Sequence, residues 1–337
     1  MTPRELVLRT LEFNKPSRVP RQLWLLPWAS DHYHGQVKKI QSDFPDDIVH
    51  APAVYEQKPK TTGQQFSVGR FVDEWGCVFE NKQSGIVGEV KEPIVKTWDD
   101  VEKVHPPQEM LAFDTEKVNG FCKSTDKFVL AGCCARPFER IQFIRGTENI
   151  YMDLAMQEDG FKALLDKVHQ FYLKELQLWA KTDVDGLMFM DDWGSQSSLL
   201  ISPDMWRDIF KPLYKEYIDI AHNNGKKIFM HSDGYIVDII PDLIELGLDA
   251  LNSQIFCMGV EEVGKQFRGK ITFWGEIDRQ HILPDGSKED VAAAVKQVKE
   301  ALYADGGVIA QCEFGPGGKP ENVYTVFETW NKLGEGQ

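Results

Sequence analysis

The sequence predicts an α/β protein built as a closed (β/α)8 barrel with an elaborated N-terminal region that faces the substrate. Three observations carry that expectation. From about residue 125 onward, continuous apolar segments alternate with amphipathic stretches of helical period, the pattern of parallel strands covered on their faces by helices. At least six such units occur, and the first third has room for two more. Nearly every predicted strand ends in a reactive polar residue, and a barrel gathers the C-terminal ends of all its parallel strands on one face. An open doubly wound sheet shares the alternation without the closure and stands second.

The elements follow in chain order. The opening "MTPRELVLRTLEFNKPSRVP" is amphipathic and charged, unlike a signal peptide, and no window approaches the roughly 20 apolar residues of a membrane span. A cytoplasmic protein is expected. Short aromatic segments come next, "VPRQLWLLPWASDHYHG" and "FVDEWGCVFENKQSGIVGEVKEPI", the second alternating like an antiparallel hairpin around Ser84-Gly85. Trp24 and Trp28, beside the polar His32, suit the lining of a site for a flat ring as well as they suit a core.

Strands are then predicted at Phe128 to Gly132, Gly186 to Met190, Lys227 to His231, Ala250 to Gln254, Ile271 to Glu276 and Gly307 to Cys312. Helices are predicted over Gly160 to Ala180 and Ser202 to Asn224, the second opened by a Ser-Pro start signal. The stretch "FGPGGKPENV" reads as a glycine turn before a helix beginning at Pro320, with an anion site at the free amides as the lesser alternative. The chain, residues 1–337, is expected to form one domain.

Composition narrows the function. A chain of 337 residues with 42% hydrophobic content can bury one large core. The formal net charge of -14 disfavours nucleic acid and an anionic membrane, both of which require a basic footprint. Six cysteines without CxxC spacing do not make a disulfide framework in a chain this long, so reduced thiols are expected.

The strand ends carry the chemistry. Asp191-Asp192 follow "GLMFM", His231 and Asp233 follow "KIFM", Gln254 follows "ALNS", Glu276 follows "ITFWG", and Cys312-Glu313 follow "GVIAQ". Each has a plain alternative: His231 as a satisfied histidine, Asp233 as a helix N-cap, Cys312 as a small buried hydrophobe. One of Asp191 and Asp192 reads as structural and the other as an acid/base group.

"RTLEFNKPSRVP", "DDWGSQSSLLISPDMWRDIFKPLYKEYIDIAHNNGKKIFMHSDG" and "WGEIDRQHILPDG" resemble the uroporphyrinogen decarboxylase superfamily across essentially the whole chain. The resemblance implies a TIM barrel and offers two branches. Porphyrinogen decarboxylases carry an arginine-rich element after the first strand; here that place reads "RQLWLLPWASDHYHG", with Arg21 and then aromatics. Several carboxylates are poorly recognised without arginine, which disfavours that branch.

The methyltransferase branch uses a zinc motif His-x-Cys followed much later by a second Cys. His231 and Cys312 match it, while Asp233 stands where the pattern has a thiolate; zinc accepts oxygen ligands too. The resemblance therefore implies zinc held by His231, Asp233 and Cys312. With fewer sulfurs the ion would act as a Lewis acid on a methoxy oxygen, with Asp191, Asp192 or Glu276 as general acid. Trp24, Trp28, His32 and Gln254 would bind a small methoxylated aromatic donor.

The methyl acceptor implied is cobalamin on a separate corrinoid protein, since the chain ends at "VYTVFETWNKLGEGQ" with no cobalamin-binding domain after the barrel. A homodimer is left open. A metal-free decarboxylase acting on a carboxylated substrate, and a binding protein that has kept the barrel, are the competing readings.

Overall fold

The computed structural model describes residues 1–156 and 158–334, so the final residues of "NKLGEGQ" lie outside the described residues. Eleven strands form among them. β1 (Arg21–Leu25) and β2 (Ile48–His50) come first, and β3 (Gly69–Val72), β4 (Val78–Asn81) and β5 (Glu89–Glu92) make a separate antiparallel sheet. β6 (Phe128–Leu130), β7 (Gly186–Met190), β8 (Lys227–Ser232), β9 (Ala250–Ser253), β10 (Thr272–Trp274) and β11 (Val308–Phe314) follow, with helices between them.

The eight remaining strands pair in the order β1-β11-β10-β9-β8-β7-β6-β2, each neighbouring pair parallel. The result is a nearly closed (β/α)8 barrel. Its seam lies between β1 and β2, where aspartates replace a ladder. Asp47 accepts from the Arg21 amide at 2.8 Å and Asp46 from the Leu23 amide at 2.7 Å, while Arg18 grips Asp47 with two bonds of 2.7 Å.

Side-chain alternation sorts each barrel strand into two layers. Ile48, Phe128, Leu130, Met188, Phe229, Ala250, Trp274 and Ile309 fill the barrel interior. Val129, Leu187, Phe189, Ile228, Met230, Leu251, Phe273, Val308 and Ala310 pack outward against the helices. Each large side chain buried this way contributes roughly 1.5–3 kcal/mol, so the core holds the strand ends in fixed positions.

The bounds of several elements differ from the sequence expectations. β11 begins one residue later and runs through Phe314, beyond the expected end at Cys312. The stretch from Ser202 forms two helices, Pro203–Ile209 and Lys211–Asn223, because Pro212 has no amide to continue the first and fits the opening turn of the second. Ser202 caps the first by accepting from the Met205 amide at 3.2 Å. The Ser84-Gly85 turn joins β4 to β5, and Gly85, with φ +85°, lies so close that an added Cβ would stand 2.4 Å from the Trp28 Cα.

Candidate active site and metal centre

Two glycines bring the ends of β7 and β8 together. Gly234 has φ +78°, and a Cβ there would meet the Gly194 carbonyl at 2.1 Å. The close approach lets the Gly194 amide donate to the Asp233 carbonyl at 3.0 Å and the Asp233 amide donate to Asp192 Oδ1 at 3.0 Å. Asp192, His231 and Asp233 are thereby held as one unit.

Hydrogen bonding then orients the imidazole. The Asn252 amide nitrogen donates to the Trp274 carbonyl, which turns Asn252 Oδ1 toward His231 Nδ1 at 2.5 Å. An acceptor at Nδ1 places the ring proton there, so Nε2 carries the lone pair. Nε2 faces Asp192 Oδ1 at 3.5 Å and Asp233 Oδ1 at 3.6 Å. Asp233 Oδ1 is buried and has no hydrogen-bond partner among the described residues. One nitrogen and two carboxylate oxygens thus offer ligand atoms within 4.8 Å of one another. That donor set fits a divalent cation such as zinc.

The surrounding charge supports the same fit. Arg279 binds Asp233 Oδ2 and Glu313 (2.6 Å), with Glu276 at 3.7 Å, so one guanidinium serves three carboxylates. Burial pushes the Glu276 carboxyl well above the ordinary carboxylate range, with Arg279 opposing and Asp233 and Glu313 adding repulsion. Asp192 is raised as well, by burial first and by repulsion from Asp233, a rise that His231 would oppose only when protonated.

Strand parity decides which expected residues reach the mouth. Asp192, His231, Asp233 and Glu276 meet there, and Gln254 supports them by accepting from the Gly234 amide at 3.1 Å. Asp191 does not: fully buried behind the strand, it accepts from the Glu139 amide at 2.8 Å and the Tyr214 hydroxyl at 2.6 Å, which makes it the structural member of the pair. Cys312 is also a correction to the expected ligand set. It packs in the outer layer, its Sγ 3.9 Å from the Glu313 carbonyl, because the inward positions of β11 are Ile309, Gln311 and Glu313.

Trp24 stands beside His231 with ring centroids 5.4 Å apart, edge-on to Trp274. Trp28 and His32 stack on each other at 4.3 Å, and neither lines the two cavities that flank the cluster. One cavity, of about 280 Å³, includes Gln254, Glu276 and Arg279 in its wall. The other, of about 480 Å³, reaches Met190, the register partner of His231. Asn252 and Arg279 were not singled out from the sequence, although Arg279 lies inside "WGEIDRQHILPDG"; Glu313 was read only as the neighbour of Cys312 at the strand end, and its inward position follows from alternation once β11 is known to continue.

Comparison with known proteins fits this architecture. A methyltransferase from Methanosarcina mazei superposes with a TM-score of 0.71 at 15% identity, covering 99% of each chain. At that identity the likeness establishes the shared fold. A B12-independent methionine synthase from Shewanella sp. aligns over 96% of both chains at 15% identity, with a lower TM-score of 0.48. No curated protein matches. The family profile described as uroporphyrinogen decarboxylase (URO-D) matches residues 71–333, well over half of the sequence, and the chain belongs to that family.

Proposed function

We propose that this chain moves a methyl group from a small methoxylated aromatic compound to the cobalamin of a separate corrinoid protein. The observation that carries the reading is the free Nε2 lone pair of His231, fixed by Asn252 and converging with the carboxylates of Asp192 and Asp233. Zinc bound by these three residues would supply Lewis-acid polarisation of the ether oxygen. The fold shared with a protein named as a methyltransferase supports the same branch of the family.

The chain's own groups supply the rest. Trp24 offers an apolar face beside His231, where the methoxy end of the donor would lie. Glu276 holds its proton above the ordinary carboxylate range and lies at the mouth, so it can protonate the phenolic oxygen that keeps the bonding pair when the O–CH3 bond breaks. Arg279 keeps Asp233 and Glu313 in place and has no charge left over for a substrate carboxylate. An anionic mouth of this kind favours a neutral donor over the polycarboxylate of a decarboxylase. All six cysteines are free thiols, which suits the reducing cytoplasm.

The test is turnover. Zinc-loaded protein mixed with guaiacol and chemically reduced cobalamin is expected to yield catechol and methylated cobalamin in equal amounts, and His231→Ala to lose at least about a hundredfold in rate. Carbon dioxide released from a carboxylated substrate, with no methyl transferred from any methoxyarene, would replace this reading with the decarboxylase.

A further inference from the structure

The larger cavity holds polar groups that the His231 cluster does not use. It extends from Met190 to the antiparallel sheet at Phe71 and Phe79. Glu175, on the helix Asp159–Ala180, lines it at 2% exposure, and Arg140 lines it at 6%. Glu175 Oε1 and Arg140 Nε both lack a hydrogen-bond partner among the described residues. Both atoms are sealed from the cavity itself, which leaves the second carboxyl oxygen of Glu175, likewise without a partner among the described residues, as the buried polar atom in the cavity wall that a ligand would satisfy.

The remaining charges define what that ligand is. Arg140 spends its terminal nitrogens on Asp73 at 2.5 Å and Glu74 at 3.5 Å, and Arg136 pairs with Glu139 at 2.9 Å. Three carboxylates therefore face two guanidiniums around the cavity, with no positive charge in surplus. Burial lifts the Glu175 carboxyl to about 8, Glu74 adding to the rise while Arg140 and Arg136 oppose it, so near neutrality Glu175 is an uncharged acid. Tyr55, Tyr172, Cys133 and Cys134 are the other titratable groups around it, and burial keeps all four protonated. A carboxyl O–H is a donor. Trp75, Phe143 and Phe171 supply apolar walls.

We infer that this cavity seats the ring of an uncharged oxygenated arene, an oxygen atom of which accepts from the Glu175 carboxyl, and that it discriminates against the same arene bearing a carboxylate. The register of Met190 with His231 directs the methoxy end of such a ring toward the cluster. The inference rests on the proposed methyl transfer for the identity of the donor, but binding alone tests it.

Calorimetric titration of the purified protein compares para-methoxyacetophenone, neutral with an acceptor oxygen, with para-methoxybenzoate. The ketone is expected to bind at least about tenfold more tightly, the worth of one well-made hydrogen bond. Glu175→Leu is expected to remove that advantage, and Glu175→Gln, which keeps a donor, to preserve it. Val87 is 45% exposed at the cavity rim, so Val87→Trp narrows the entrance without disturbing the core and is expected to weaken the ketone even if Glu175→Leu does not fold. Equal or tighter binding of the benzoate, no binding of either compound, an unchanged affinity in Glu175→Leu, or an unchanged affinity in Val87→Trp each overturns the inference. Binding with this pattern but without methyl transfer would leave the cavity assignment standing and remove the proposed function.

Discussion

Asn252 decides which nitrogen of His231 is free. Its amide is anchored by Trp274, so it can present only Oδ1 to the ring. Asn252→Leu is expected to leave the fold in place and weaken zinc binding by about 10–100-fold, measured by competition with a chromogenic chelator. Cys312→Ser is expected to leave zinc stoichiometry unchanged, because the thiol sits in the outer layer. Glu175 gives a pH signature of its own. Its folded value near 8 lies above the ordinary carboxylate range, so its contribution to stability is complete at acid pH and is lost as pH rises toward 8. Urea denaturation should show a stability that falls across this window in the wild type and falls less in Glu175→Gln.

At the scale of elements, two loops are joined through backbone that no side chain can enter. Gly234→Ala demands a strained positive φ and collides with the Gly194 carbonyl. A loss of roughly 1–3 kcal/mol in stability is expected, together with weaker zinc binding as Asp192 and Asp233 separate. The strands themselves were legible in the sequence because parallel strands buried on both faces are continuously apolar, and Gly186–Met190 appears at its expected bounds. The same continuity hides parity. Nothing in "VIAQCEF" says which face a residue takes, and Cys312 was therefore read as a ligand where Glu313 points inward. Asn252 acts only through His231, and Arg279 lies in a loop after β10; neither leaves a periodic signal. The aromatics of the first third were legible as a separate antiparallel region, while the pairing of Trp28 with His32 away from the flanking cavities required the structure.

The whole barrel depends on its seam. Asp47 is 1% exposed and joins Arg18 to the β1 backbone, where no strand ladder closes the ring. Asp47→Ala is expected to cost about 1–3 kcal/mol in chemical denaturation, the range for leaving a part-buried donor such as the Arg21 amide without its acceptor. No helix among the described residues is long and apolar enough to cross a membrane. Closure is what turns separate strand ends into a single mouth, and the mouth's anionic field, with one arginine among its carboxylates, is the property that favours a cation there. The decisive measurement is zinc titration of metal-free protein alongside Asp192→Asn, His231→Ala and Cys312→Ser. One tight site in the wild type and in Cys312→Ser, weakened at least about tenfold in the other two, is the expected result. Zinc retained in His231→Ala, or lost only in Cys312→Ser, would contradict a metal centre built from Asp192, His231 and Asp233.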